Sequence, residues 1–540
     1  MQQRVAPRLP SLRFSPAALT TLAAALLIGA PVLAALATGF IGGGGQAWTH
    51  IVSTQLAGYT LTTLGVLTLT TALILLFAVP SAWFVSLFDF PGRGIFEWAL
   101  ILPLAAPGYV LAYAWADIME VGGPLQSLLR DVTGLSARDY WFPGLYSIPG
   151  LSFVMACALF PYAYLTARAA FTNLSLCTME AARSLGASPI RTFFQVALPA
   201  ARPAIFAGLA LALMETAADY GAASYLGVQT LSVGIFRAWH SFSEPAVAAR
   251  LAFLLILIAF GLQLIERQAR GRGSVQQTAT RWRTPKRQTL GRRAGLAVAA
   301  GCTAILLLAF VFPVTRLIWI SLETGIGQKA LWRPFFNSLT LALAGSALAF
   351  VLAVTVVISS RQNRFSQAIG RLAAGAGYAA PGIVLALGAL FILSWTGFSV
   401  AGPAALVFLV WIYASRFTAA GAEPLNAAFS RAPASLGNAA RSLGANSFQR
   451  LVRIDLPVAM SGAAAASIIL FVETLKELPA TLMLRPFSWD TLAVQAHAYA
   501  SDERLAAATL PSLLITAAGL LPVILLSLQL TRAGESRAAG

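Results

Sequence analysis

The sequence predicts an all-α polytopic membrane protein: about twelve transmembrane helices in two pseudo-symmetric six-helix halves. Three observations predict it. The 540-residue chain is 58% hydrophobic and only 11% charged, with a mean hydropathy of +0.74. Apolar runs of about 20 residues, enough to cross a hydrocarbon core of roughly 30 Å as helix, recur along its length. And one polar heptapeptide, Ala181-Ala182-Arg183-Ser184-Leu185-Gly186-Ala187, returns unchanged as Ala439-Ala440-Arg441-Ser442-Leu443-Gly444-Ala445, an offset of 258 (439 − 181).

Twelve spans are expected, near 16–38, 59–88, 95–116, 148–170, 202–222, 247–265, 294–320, 337–359, 370–395, 403–421, 460–482 and 505–531. Basic residues orient them. Arg4, Arg8 and Arg13 precede the first span. The stretch 267–293 carries nine Lys and Arg and no acid. Arg361, Arg364 and Arg371 follow span eight. By contrast 39–58 and 396–402 hold no Lys or Arg. Positive charge on cytoplasmic loops then predicts an inner-membrane, multi-pass chain with both termini in the cytoplasm. The first apolar stretch is read as a retained span. It is longer than a usual signal core, and removing it would invert the arginine asymmetry.

The net charge of +17 follows from this topology signal. No aromatic-interleaved basic module points to nucleic acid. Cys157, Cys177 and Cys302 have neither disulfide-framework nor zinc spacing. No Gly-x4-Gly-Lys-Ser/Thr phosphate loop occurs, so ATP hydrolysis is not expected of this chain. Nor is there a Ser-His-Asp candidate for an enzyme. His50, His240 and His497 are expected as isolated surface histidines in loops on the far side of the membrane.

The domain expectation is an N-terminal half, 1–266, a basic cytoplasmic linker, 267–293, and a C-terminal half, 294–540. Both halves carry Ala-Pro-Gly early in their third span, at Ala106-Pro107-Gly108 and Ala380-Pro381-Gly382, an offset of 274 (380 − 106). A duplication with parallel repeats accounts for both matches.

The repeated loops, about 178–202 and 436–460, fall on the cytoplasmic side. Small residues and Leu before Gly186 suit a short helix. Gly186 suits a left-handed or close-packed turn that ends it. Pro189 can open a second short helix, where its missing N–H costs nothing. Phe193, Phe194 and Val196 offer an apolar face to a partner groove. An interfacial helix resting on headgroups is the bland alternative. The duplication argues against it.

At this point the chain resembles a known family. Glu180-Ala181-Ala182, then Gly186, Val196 and Leu198-Pro199, is similar to the signature loop of permease subunits of bacterial ABC importers. The second copy matches at Ala439, Ala440, Gly444, Ile454 and Leu456-Pro457, with Asn438 in place of the leading Glu. The resemblance implies a type I importer permease fold, with each loop docking on one of two ATP-binding cassette subunits. It implies ATP and Mg on those partners and no cofactor on this chain. A fused twelve-span chain resembles the ferric-iron, thiamine and phosphonate permeases. Glu215 to Gly221, Gly234 to Trp239, Glu473 to Phe487 and Ala500 to Leu505 resemble the ferric-iron members, which implies a periplasmic ferric-binding protein as partner. An ion-coupled secondary transporter is the alternative from another class.

Glu215, Asp219, Glu473 and Glu477 are candidates for the translocation path. Each pair is spaced i, i+4, and the pairs are related by the same offset of 258 (473 − 215). Intramembrane acids are costly and usually face a cavity or a partner. A hard cation favours their oxygens. The competing reading is structural: Lys476 neutralises one acid and the others brace helices. No tightly bound metal is expected. Tyr220 is an oxygen donor or, preferably, a packing aromatic.

Overall fold

The computed structural model describes residues 16–41, 45–172, 186, 188–240, 244–273, 287–325, 331–361, 364–397, 402–431, 439–440, 442–460 and 462–538. Among these, nine helices are long and apolar enough to cross a membrane: Ala18–Ile41, Leu56–Leu87, Ile148–Thr172, Phe193–Ala218, Pro245–Glu266, Arg292–Thr324, Trp332–Ser360, Pro403–Phe429 and Leu505–Ile524. Three further helix pairs, Arg93–Ala105 with Gly108–Thr133, Phe365–Ala379 with Gly382–Thr396, and Phe448–Met460 with Ala463–Leu475, bring the number to twelve if each broken pair is one span. The spans expected from hydropathy are all there, but three are broken.

These segments are helical because hydrocarbon offers their backbone no other partner. Their hydroxyls turn back on the helix for the same reason. Thr63 donates to Tyr59 O at 2.7 Å, Ser152 to Ile148 O at 2.8 Å and Thr216 to Ala212 O at 2.8 Å. Pro31, Pro80, Pro161 and Pro424 lie inside helices.

The chain gathers into two compact units. The larger comprises Pro31–Gly345, Ala379–Ile412 and Phe471–Gly540. In it, Leu56–Leu87 packs along Ile148–Thr172, and Leu198–Ala218 packs on the latter and on Pro245–Gly273. Gly208 permits this approach, since a Cβ there would stand 2.5 Å from Tyr162 O. Arg93 and Arg168 both pair with Glu97, and Arg93 Nε donates to Val85 O at 2.8 Å. The helix Pro245–Gly273 runs on into the stretch read as linker. Where the described chain resumes, Gln288–Thr289 pairs in parallel with Phe88–Asp89.

The smaller unit comprises Met1–Ala30, Ser346–Tyr378 and Tyr413–Leu470. Its core is Ala353, Val357, Ile358, Ala422, Leu425, Phe429, Ala459 and Ala466. Helices close on one another at glycines. A Cβ at Gly377 would stand 2.7 Å from Ile28 Cγ2, and one at Gly421 2.7 Å from Leu470 Cδ1. The Arg361 guanidinium lies 4.4 Å over the Phe429 ring.

Candidate functional site

The larger unit contains a crossing of three broken helices. The first break is at Ala106-Pro107. A helical turn at Leu102–Ala105 ends there, the Gly108–Met119 helix begins, and the two arms of the span diverge by 96°. Pro107, extended at ψ 150°, sets the corner. The second break follows Leu198–Ala218, which ends before Asp219. A short helix, Gly221–Tyr225, starts next. The third follows Ala463–Leu475, before the short helix Pro479–Leu484.

The candidate acids sit at these breaks. Asp219 and Glu477 do not line the face of a continuous helix, as their spacing suggested. Each lies beyond the end of its helix and turns onto the next one. Asp219 Oδ1 accepts from the N–H groups of Ala222, at 2.9 Å, and Ala223, at 3.1 Å. Glu477 Oε2 accepts from those of Ala480, at 3.1 Å, and Thr481, at 3.2 Å, and from Thr481 Oγ1 at 3.2 Å. The donating N–H groups obey the 258-residue offset too. A carboxylate on the orphan N–H groups of a helix start meets both hydrogen-bonding need and helix dipole.

Glu473 takes a different partner, Lys476 Nζ at 2.9 Å. The same ammonium donates to Leu104 O at 3.4 Å, and Tyr109 Oη donates to Lys476 O at 3.4 Å. Glu215 is half-buried on the Leu198–Ala218 helix. Gly221 is the tightest point. A Cβ there would stand 2.7 Å from Leu478 Cδ2 and 2.8 Å from Tyr109 Cβ. Crossing breaks with inward polar groups are how membrane helices build a passage, because irregular backbone survives at that depth only inside protein or beside water.

The histidine expectation fails at His497. It is buried on Leu492–Ser501, with Nδ1 2.8 Å from Tyr113 Oη. Burial pushes its imidazole down to about 4. Tyr220 packs among rings, 4.6 Å from Phe236 and 5.8 Å from His497.

The repeated loops form the second candidate site. Gly186 has φ +82° and Gly444 φ +80°. A Cβ at either would meet nothing within 4 Å. The turn therefore needs glycine for its conformation, not for space. At the second copy Ala445 N–H reaches back to Ala440 O at 3.0 Å, a helix stop in which the left-handed residue is Gly444. Short helices then start at Pro189 and Ser447. Ser188 Oγ accepts from Arg191 N–H at 3.3 Å, and Asn446 Oδ1 from Gln449 N–H at 2.8 Å, so the two caps are again 258 apart. Each short helix widens into one π-helical turn, Phe193–Ala197 and Leu451–Asp455, and continues from Leu198-Pro199 and Leu456-Pro457. Glu180, Ala181, Ala182 and Asn438 lie outside the described residues; Ala439 and Ala440 are helical.

The apolar face divides in a way the sequence did not reveal. Phe193 turns inward, 5.0 Å from the Trp83 ring and 6.4 Å from Phe171. Phe194 is 60% exposed. At the second copy Leu451 packs on the core containing Val357 and Phe429, while Phe448 is 71% exposed. Trp83 and Val357 differ by 274; Phe171 and Phe429 differ by 258. Each loop is thus anchored at matched positions on matched helices.

Broken helices crossing at capped carboxylates, together with a turn-and-helix device present twice in the chain, are features of a helical membrane permease. Residues 78–274 match the family described as binding-protein-dependent transport system inner membrane component. The chain is 27% identical to the Fe(3+)-transport system permease protein FbpB 2 of Haemophilus influenzae, over 82% of this chain and 84% of that one. It is 26% identical to the probable ABC transporter permease protein y4fN of Sinorhizobium fredii, over 83% and 84%. A putative 2-aminoethylphosphonate transport system permease protein, PhnU of Salmonella choleraesuis, is 28% identical over 43% of this chain and 82% of its own. The chain is similar along most of its length to permeases of ABC importers, and it is a multi-pass inner-membrane protein.

Proposed function

We propose that this permease forms the whole transmembrane part of an importer that moves ferric iron into the cytoplasm. A periplasmic binding protein delivers the ion, and two separate ATPase subunits, carrying ATP and Mg, drive the cycle. Residues 1–266 and 294–540 act as the two permease halves, joined by 267–293, with both termini cytoplasmic. The observation that carries the ATP-driven reading is the matched pair of devices around Gly186 and Gly444, with the same turn, cap, π-turn and anchor. Glu180, Ala181, Ala182, Gly186, Leu198 and Pro199 form one coupling element. Asn438, Ala439, Ala440, Gly444, Leu456 and Pro457 form the other. A secondary transporter has no use for two groove-docking elements.

Iron is supported by similarity along most of the chain to a permease named for Fe(3+) transport, and by the carboxylates at the helix crossing, which suit a hard cation. Glu215 and Glu473 face the path, while Asp219 and Glu477 hold its walls by capping. A phosphonate or thiamine cargo is the second reading, and a similarity covering 43% of the chain favours the phosphonate. Reconstitution with the ATPase and binding protein in proteoliposomes tests the proposal. ATP-dependent uptake of labelled Fe3+ supports it. Uptake driven by an ion gradient without ATP, or of an organic anion in place of iron, refutes it.

A further inference from the structure

Four tyrosines form a file in the larger unit, leading from its surface to the helix crossing. Tyr146, 61% exposed, lies 6.5 Å from the Tyr225 ring. Tyr225 lies 4.6 Å from Tyr113, and Tyr113 5.8 Å from Tyr109. Tyr109 reaches Lys476 O, beside Glu473 and Glu477. His497 and Tyr220 flank the file at Tyr113.

The duplication separates packing from chemistry here. Offset by 274, Tyr109 and Tyr113 correspond to Ile383 and Leu387. Offset by 258, Tyr220 and Tyr225 correspond to Leu478 and Met483, and His497 to Trp239. Ile383, Leu387 and Leu478 are buried, and Met483 packs in its short helix as Tyr225 does in its own. The fold therefore fills these positions with aliphatic side chains in one half and phenols in the other. The hydroxyls are surplus to packing, and burying each one costs free energy unless it finds a partner.

We propose that Tyr146, Tyr225, Tyr113 and Tyr109, with His497, are the cargo's transit ligands: a phenol-lined approach for a hard trivalent cation, ending at the carboxylates. This rests on the ferric-iron reading above. Oxygen donors suit such a cation, and a file of separate sites lets the ion pass from one to the next without a deep trap. At Tyr113 the bond formed is oxygen to iron and the bond broken is O–H. A hydroxide carried on the hydrated ion takes that proton and leaves as water, and no electron moves.

The test uses the complete transporter with its ATPase and binding protein. Tyr113→Phe combined with Tyr225→Phe keeps the rings and removes two oxygens. Uptake of labelled Fe3+ per transporter molecule is expected to fall about tenfold or more. Wild-type protein titrated with Fe3+ should show a visible phenolate-to-iron charge-transfer band that the double variant lacks. If the double variant is absent from the membrane, Tyr225→Phe alone, at the half-buried position, carries both measurements. Wild-type uptake and an unchanged spectrum in the variant would overturn the inference while leaving the ferric permease standing. A wild type that moves another solute and not iron would remove the reading beneath it.

Discussion

Asp219 and Glu477 stand 258 residues apart, and each uses its carboxylate to cap the short helix that follows it, on N–H groups themselves 258 apart. The two acids end one helix and begin the next, at equivalent breaks in equivalent spans. Their first duty is to hold the broken backbone in shape, because a helix start buried without an acceptor leaves its N–H groups unpaired.

Removing either cap should therefore lower stability before it lowers transport chemistry. Asp219→Ala and Glu477→Ala are each expected to cost about 1–2 kcal/mol, read as a lower unfolding temperature of the detergent-purified protein. Glu215→Gln, which keeps the side chain's shape, should lower that temperature less than either cap removal and reduce uptake per molecule. Equal stability loss in all three variants would contradict this division of roles.

The two turns should fail for conformational reasons. Gly186→Val and Gly444→Val force a β-branched residue to φ near +80°, at about 1–2 kcal/mol each. Open space around both Cβ positions means no clash to absorb. The protein should insert in the membrane normally, with ATP hydrolysis uncoupled from uptake. Normal coupling in both variants would refute the mechanical role.

Anchor and contact should separate at adjacent phenylalanines. Phe193→Ala, which strips a ring from Trp83 and Phe171, is expected to cost roughly 3 kcal/mol. Phe194→Ala should leave stability intact and weaken association with the ATPase, measured by pull-down at matched protein levels. The reverse pattern would mean the helix docks by its other face.

His497 should make the larger unit sensitive to acid. Its imidazole is held near 4 in the folded protein, against about 6.5 unfolded. The unfolded chain thus binds the proton first as pH falls. The stabilisation is complete above about 6.5 and is lost progressively down to about 4, roughly 3 kcal/mol in all. Unfolding temperatures of wild type and His497→Gln, compared from pH 7.5 to 4.5, should converge as the pH falls.

Much of this was legible in the sequence, and the omissions have physical causes. Hydropathy gave the spans, since lipid permits little else for an apolar chain of that length. The heptapeptide gave the paired loops, and Gly186 its left-handed turn. The breaks after Ala218 and Leu475 were missed, because the i, i+4 spacing of the acids reads as one face of a continuous helix, whereas Asp219 and Glu477 instead cap the short helices that follow them. Phe193 and Phe194 could not be told apart, because both lie in the π-turn, which shifts the register on which a face is counted. The Tyr113–His497 pair joins residues 384 apart, a distance no local pattern spans.

The central claim is that one copy of this chain carries two equivalent coupling elements. The native mass of the assembled transporter tests it most directly. The account predicts one copy of this chain with two ATPase subunits. Two copies of this chain around one pore, or a single ATPase subunit per chain, would contradict it.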